Sequence, residues 1–363
     1  MGGINVYPFY LRVDQRMNNR PKQKLIQQKD IARILNVSTM TVSKALRGHS
    51  DIALETRERI QNLAKELGYR PNFVARNLSS KRTFTLGVVM PKIAHSFYSS
   101  VLDGIQTMAQ KHGYEIILTV SRENAKKEEE HILSLISMRV DGLLVSVSQE
   151  VAISCFKPVE QMGIPLVFFD RAIDEMEFSS VTVDDRGGAA SAVEHAIKLG
   201  YRKIMHFAGY ENVDISRKRR DGYLDALKKY NIPIEKDMII ETGFGIQAGY
   251  DAFMKIYKSG NLPEVIFAVS DSVAMGVYQA AKEVNLKVGQ DIGLIGFTDI
   301  NVASFLSPPL TTVHEPAELM GEKAVGLLLE EVESIERPEV QRIMLPTELK
   351  VRESCGESKR LKV

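Results

Sequence analysis

Hydrophobic positions follow two rhythms along the chain. From Asp30 to Leu67 they recur every three to four residues, the helical spacing. Ile31, Ala32, Ile34 and Leu35 mark one apolar face, and Val42, Ala45 and Leu46 mark a second. Asn36 stands at the reversal between them, where its side chain tolerates a left-handed backbone. Ser38 is positioned to cap a helix that begins near Thr39. A third helix over 51–67 would pack Ile60, Leu63, Ala64 and Leu67 against the first two and end at Gly68. The spacing thus predicts a small three-helix core holding a tight helix-turn-helix pair. Pro71 cannot continue the third helix, and Asn72 can cap a further short one. A helix that short needs another molecule to support it.

Beyond Thr85 the rhythm changes to short continuous apolar runs, the mark of strands buried on both faces. They predict strands over 86–90, 115–120, 142–146, 166–169 and 181–183, then 203–208, 238–240, 265–269 and 292–296. Helical stretches separate the early strands near 97–111, 125–138, 151–162 and 187–199. Repeated βα units of this kind build doubly wound parallel sheets. The beat restarts at Lys203, so two similar subdomains are expected, with a ligand cleft between them at the carboxyl ends of the strands.

Charge changes the picture most. The 363 residues carry a net charge of +1. Residues 1–83, however, hold 16 lysines and arginines against 6 carboxylates, and the remainder 31 against 40. A basic module joined to an acidic body can neutralise phosphates with one end only. Thr39, Met40, Ser43 and Lys44 form the exposed side of the second helix, so that helix suits a DNA major groove. No run of about 18 apolar residues predicts a membrane span, and residues 1–24 carry no secretory signal. They read as a disordered extension. Cys155 and Cys355 are too few for a disulfide framework and fit a reducing cytoplasm.

Several chemistries are not expected. Gly243, Gly245 and Gly249 leave three residues where a dinucleotide fingerprint needs two. His95, His206 and His314 have no ligand-spaced partners, so no metal is expected. The carboxylates form no acid/base pair on one element and no nucleophile elbow is present. Neither catalysis nor a cofactor is predicted, and Lys126–Glu130 reads as a solvated helix face.

Landmarks occur in one order at Asp30–Ala32, Val37–Ser43, Glu55–Ile60, Gly68–Asn72 and Ala75–Leu78. Others follow at Arg139–Gly142, Arg219–Tyr223, Pro308–Thr312 and Leu345–Leu349. With these the chain strongly resembles the lactose-repressor (LacI/GalR) family of bacterial transcription regulators from about Lys29 to Ser354. The resemblance implies a small all-α helix-turn-helix DNA-binding domain over 25–70 and a hinge helix and linker over 71–83. It implies a two-lobed, periplasmic-binding-protein-like α/β domain over 84–354. Three crossings between lobes are expected near Gly200, His314 and Arg337. The N-subdomain would then hold 84–200 and 314–337, the C-subdomain 201–313 and 338–354, and 355–363 would be a frayed tail.

The implied function is a ligand-responsive cytoplasmic regulator, a repressor, acting as a homodimer or tetramer on a palindromic double-stranded operator. Its effector would be a sugar or sugar phosphate in the interdomain cleft. Implied DNA contacts are Ser38, Thr39, Met40, Thr41, Ser43 and Lys44, with Arg57 and Arg76 toward phosphates. Asn72, Ala75 and Leu78 belong to the short hinge helix, with Leu78 placed to wedge between bases in the minor groove. Implied effector contacts are Phe97, Tyr98, Asp170, Arg171, Arg219, Phe244, Asp271 and Thr298. Both Asp170 and Asp271 are expected to face the cleft, and Arg219 to present a fork of donors to the ligand.

Three departures from the family pattern stand out. Lys44 replaces a usual Arg and loses bidentate guanine recognition. Ala53 replaces a capping Ser. Thr298 replaces an Asp that binds the ligand, with Asp299 one residue later. The alternative, a periplasmic-type sugar-binding protein without a DNA role, would need a signal peptide and no DNA module, the reverse of what this sequence carries.

Overall fold

The structure, a computed structural model, describes residues 26–46, 48–69, 82–93, 96–150, 153–336 and 338–356. The expected extension over 1–24 and the hinge residues Asn72, Ala75, Arg76 and Leu78 lie outside these, as does His95. Two compact units result, divided at Ser79–Ser80.

The first unit holds α1 (Gln28–Leu35), α2 (Thr39–Leu46) and α3 (Leu54–Glu66). Ile31, Val42, Ala45 and Ile60 are fully buried and form its core. Asn36 takes the left-handed conformation at φ 54°, which turns α1 into α2. Ser38 Oγ accepts the Thr41 N–H at 3.0 Å, capping α2. Helix α3 starts three residues later than its pattern predicts. Ala53 offers no capping side chain, and Asp51 is turned back to meet Lys44 Nζ at 2.5 Å.

The second unit contains two six-stranded sheets. The first lobe is built from β1 (Thr85–Met90), α4 (Ser96–Lys111), β2 (Glu115–Val120), α5 (Ala125–Ser137), β3 (Gly142–Val145), α6 (Lys157–Met162), β4 (Leu166–Phe169) and β5 (Ser179–Val183). The second lobe runs through α7 (Asp185–Lys198), β6 (Ile204–Ala208), α8 (Asp214–Lys229), β7 (Ile239–Glu241), α9 (Ile246–Lys258), β8 (Val265–Ala268), α10 (Asp271–Glu283), β9 (Gly293–Thr298) and β10 (Thr311–His314). Helix α11 (Ala317–Glu333) and β11 (Arg342–Leu345) return to the first lobe, and β12 (Glu348–Lys350) to the second. Strand orders are β11-β5-β4-β3-β1-β2 and β12-β10-β9-β8-β6-β7. Every described strand pair is parallel except β10–β12. Central strands are buried along their whole length, as their unbroken apolar runs require.

The lobe crossings fall elsewhere than at Gly200 and Arg337. Ala189, Ala192, Val193 and Ala196 of α7 share a core with Ile204, Tyr223 and Phe297, so α7 belongs to the second lobe and the first crossing is at Asp184. Strand β11 pairs in register with β5 from Arg342 to Leu345. It therefore belongs to the first lobe, and the last crossing is at Pro346–Thr347. The middle crossing is at Glu315–Pro316, between β10 and α11. Strands β10, β11 and β12 are absent from the sequence expectation, which stops at residue 296. Cys355 is buried in the second lobe and Gly356 packs on Gly289, so these two residues are part of the fold and not of a tail.

Gly222 explains one landmark. A Cβ there would lie 2.1 Å from the carbonyl oxygen of Arg186, so only glycine lets α8 sit this close to the start of α7. Gly222→Ala should destabilise the chain by about 1–3 kcal/mol through forced backbone displacement. A urea midpoint equal to wild type would show that α7 and α8 are free to separate at no cost.

Candidate functional site

Two surfaces collect the residues singled out above. On the first unit, Thr39 and Met40 are exposed, Met40 at 69%, while Thr41, Ser43 and Lys44 are half-buried. Ser38 is engaged as the cap, its hydroxyl also 2.8 Å from that of Thr41. Arg57 donates to the Gly48 carbonyl at 3.3 Å, across the turn that follows α2. Lys44 is not a lone cation: Asp51 pairs with it, and that bond holds the carboxyl of Asp51 below the usual range.

In the second unit the two lobes meet across their strand ends. Asn212 donates to the Gln149 carbonyl at 3.1 Å, and the Arg171 guanidinium lies 5.3 Å from the Phe244 ring centre. A cavity of about 450 Å³ opens between the lobes, lined by Phe97, Thr298, Asp299, His314, Glu315 and Glu318 among others. Thr298, Asp299 and Asp170 hold positive φ angles of 122°, 59° and 62°. All three sit where a strand ends at the cleft. For a β-branched threonine such a backbone is strained, a condition that clusters at functional sites.

The first-lobe residues form a bonded floor. Tyr98 donates to Asp170 Oδ2 at 2.7 Å, and Ser146 to the same oxygen at 3.2 Å. Burial pushes the Asp170 carboxyl up, while Arg171 and the Tyr98 hydroxyl pull it back. Arg171 is clamped by both oxygens of Glu123 at 3.2 and 3.0 Å. Phe97 packs edge-on to Tyr98 at 5.4 Å, and Phe244 across the cleft is half-buried against Tyr210.

Two of the expected contacts do other work. Asp271 is fully buried beneath the cleft surface, accepting from Ile300 N at 2.8 Å and Thr312 Oγ1 at 2.5 Å. It ties the loop after β9 to strand β10, and so does not face the cleft as the strand register suggested. Arg219 is not an open fork either. Its Nε binds Asp185 Oδ1 at 2.7 Å, Nη1 the Val269 carbonyl at 2.8 Å and Nη2 Glu315 Oε1 at 2.5 Å. The Phe297 ring lies 3.7 Å from its Cζ.

Asp185, Glu315, Glu123 and Ser146 are thus the residues that sequence reading missed. Glu315 also meets Thr298, which brings a carboxyl from the neighbouring crossing beside position 298. A recognised β10 would have put Glu315 at a strand's carboxyl end and flagged it. His206 is fully buried, stacked between Tyr223 and Phe267, and burial pushes it down to about 4. No cluster of His, Cys, Asp or Glu among the described residues could hold a metal. Nor is any described helix long and apolar enough to cross a membrane.

Asp271 generates a two-part prediction. Asp271→Ala leaves the Ile300 N–H and the Thr312 hydroxyl unpaired, which should cost about 1–3 kcal/mol for each buried group, read by urea unfolding. Burial raises the Asp271 carboxyl to about 7 against the pull of Thr312 and Ile300. Its folded value exceeds the unfolded one, so the folded state holds the extra proton, and stability falls as pH rises toward about 7. Asp271→Asn should remove that part of the pH slope; an unchanged slope would mean the carboxyl is ionised throughout.

Residues 28–72 match the family described as bacterial regulatory proteins, lacI family, and residues 83–353 the periplasmic binding proteins and sugar binding domain of the LacI family. The ribose operon repressor of Haemophilus influenzae is 31% identical over 308 residues, covering 84% of this chain and 92% of that protein. The transcriptional repressor CytR of Escherichia coli K12 is 30% identical over 318 residues, covering 87% and 93%. A lac repressor dimer bound to operator and an anti-inducer superposes with a TM-score of 0.83 at 25% identity, covering 92% of this chain and all of that one. A LacI-family regulator from Enterococcus faecium with bound ribose gives 0.69 at 26% identity, covering 76% and all of that chain. The chain belongs to the LacI family and is a DNA-binding, ligand-responsive transcription regulator rather than an enzyme.

Proposed function

We propose that this regulator is a repressor that binds a palindromic operator as a homodimer and is controlled by a neutral sugar in the cleft between its lobes. It would act in the cytoplasm, where its DNA is. The observation that carries the reading is the pairing of an exposed, basic helix-turn-helix with a two-lobed cleft floored by aromatic rings and carboxylates. The operator-bound lac repressor dimer and the ribose-bound regulator support each half in turn.

On DNA, Thr39, Met40 and Lys44 read bases from α2. Met40 offers apolar contact to a thymine methyl, and Lys44 a donor to guanine O6 or N7. Arg57 and Arg76 would contact phosphates. Asn72, Ala75 and Leu78 would enter the minor groove, the leucine as a wedge. The experiment is a mobility-shift and site-selection assay on the region upstream of the gene. Lys44→Ala should cost about 1–3 kcal/mol on the best site and relax preference at one base pair per half-site. An unaltered selected site would remove Lys44 from the readout.

For the effector, Phe97 and Phe244 give flat apolar faces to a sugar ring, and Asp170 accepts from its hydroxyls. Both cleft arginines already carry carboxylate partners, at Glu123 for Arg171 and at Asp185 and Glu315 for Arg219. A phosphate ester would therefore meet a carboxylate-rich wall with its cations spent, which narrows the expectation of a sugar or sugar phosphate to the neutral sugar. A thermal-shift screen of pentoses and hexoses against their phosphate esters checks this. A neutral sugar at a hundred times its Kd should stabilise by about 2.7 kcal/mol. Stabilisation by phosphate esters alone would overturn the assignment.

A further inference from the structure

Three crossings join the lobes, and a buried ion cluster stands on two of them. Asp185 opens α7 directly after the first crossing, and Glu315 lies within the second. Both carboxylates bind the one guanidinium of Arg219, which projects from α8. The third crossing is tied to the first by Thr347, whose hydroxyl donates to the Asp184 carbonyl at 3.2 Å. Asp185, Arg219 and Glu315 retain only 1%, 2% and 3% of their surface.

The charges in this cluster do not cancel. Asp170, at the end of β4, and Asp214, on α8, add negative field at Asp185, and Asp170 also acts on Glu315. Arg171 is spent on Glu123 and lies beside Asp170, Arg220 is spent on Glu211, and Lys218, which faces Asp185 from α8, is shared between Asp214 and Asp174. Burial keeps His206, facing Arg219 from β6, neutral, and Asp299 binds Arg352, with the His314 ring 3.3 Å from its other oxygen. Buried surplus charge is costly, and protonating one carboxyl is the cheapest relief. Asp185 offers a place for it: Oδ1 carries the Arg219 bond, while Oδ2 is buried without a hydrogen-bond partner.

We propose that Asp185 and Glu315 are positioning residues that hold one proton between them, and that this proton latches Arg219 and the hinge in the lobe arrangement seen here, termed closed because Asn212 meets Gln149 and Arg171 meets Phe244 across the cleft. Rotation at the crossings parts the two carboxyls from Arg219 and from each other, admits water and releases the proton. Burial holds both carboxyls above their ordinary range, against the opposing pull of Arg219. The closed form therefore binds more protons than the open one. Closure is favoured at low pH and weakens as pH rises. The inference rests on the cleft being the effector site, because an effector that selects closed lobes would take up a proton on binding.

The test needs no effector, so its failure would leave the assignment of the cleft untouched. Full-length protein, Glu315→Gln and Asp185→Asn are melted and measured by small-angle X-ray scattering from about pH 6 to about pH 8. Relative to each variant, wild type should lose stability as pH rises, and its radius of gyration should grow while theirs stay level. Should a variant fail to fold, the infrared band of protonated carboxyls in wild type gives a direct reading, and its loss should track the change in radius. Parallel melting curves for all three proteins would overturn the shared proton. A proton lost without any change in radius would overturn the latch.

Discussion

A guanidinium buried to 2% exposure has to be answered by partners from wherever the chain can supply them. For Arg219 they come from four places: the start of α7, the carbonyl just past β8, the ring of Phe297 on β9 and the crossing at Glu315. Satisfying that one charge gathers two of the three lobe connections and the carboxyl ends of the second sheet around a single point. The cleft is shaped by this demand before any ligand arrives. An ion pair so deeply buried is weak evidence of stability but good evidence of a specified geometry.

The parallel sheets make such a convergence available. Strands running the same way bring all their carboxyl ends to one edge, so loops far apart in sequence meet there. Backbone strain is present at the same edge: Asp170, Thr298 and Asp299 hold positive φ angles that regular strands avoid. Two of them are fixed by bonding around them, Asp170 through Tyr98 and Ser146, and Asp299 through Arg352 at 2.7 Å. Asp271 does the same from below, so close to β9 that a Cβ on Gly296 would touch its Oδ1 at 2.0 Å. Rigid braces under a strained rim favour a few discrete lobe arrangements over continuous deformation.

Much of the architecture was legible in the pattern of the chain. The central strands are continuous apolar runs, and the helix pair carries both its stripe and its turn at Asn36. What the pattern could not carry was membership. Nothing local to Asp185–Lys198 says whether that helix covers the first sheet or the second; this is decided by Tyr223 and Phe297, which lie later in the chain. Strands β10 to β12 escaped because Thr311–His314, Arg342–Leu345 and Glu348–Lys350 are short and mix polar with apolar positions. Their pairing is set by partners more than a hundred residues away for β11, and by a reversal after Pro346 for β12. Arg219 and Asp271 were found as cleft residues by position, yet their partners decide what they do. Asp185 and Glu315 drew no notice, since a carboxylate beside a helix start or a proline is ordinary until an arginine is seen to need it.

The division of charge gives the two halves opposite electrostatic tasks. The first 83 residues, with 16 cations against 6 anions, are drawn to any phosphate backbone, and base readout must then distinguish sites within that attraction. Lys44 illustrates the compromise, because its ammonium is shared with Asp51 and so is partly withdrawn from indiscriminate phosphate contact. The acidic body works the other way. Its 40 carboxylates against 31 cations give it a net charge that repels a phosphate backbone. In the cleft both arginines carry carboxylate partners, which on the proposed reading leaves recognition to hydroxyl acceptors and ring faces rather than to net charge. With a neutral effector, as proposed, a regulator that meets a polyanion at one end reads an uncharged ligand at the other without the two signals competing for the same surface.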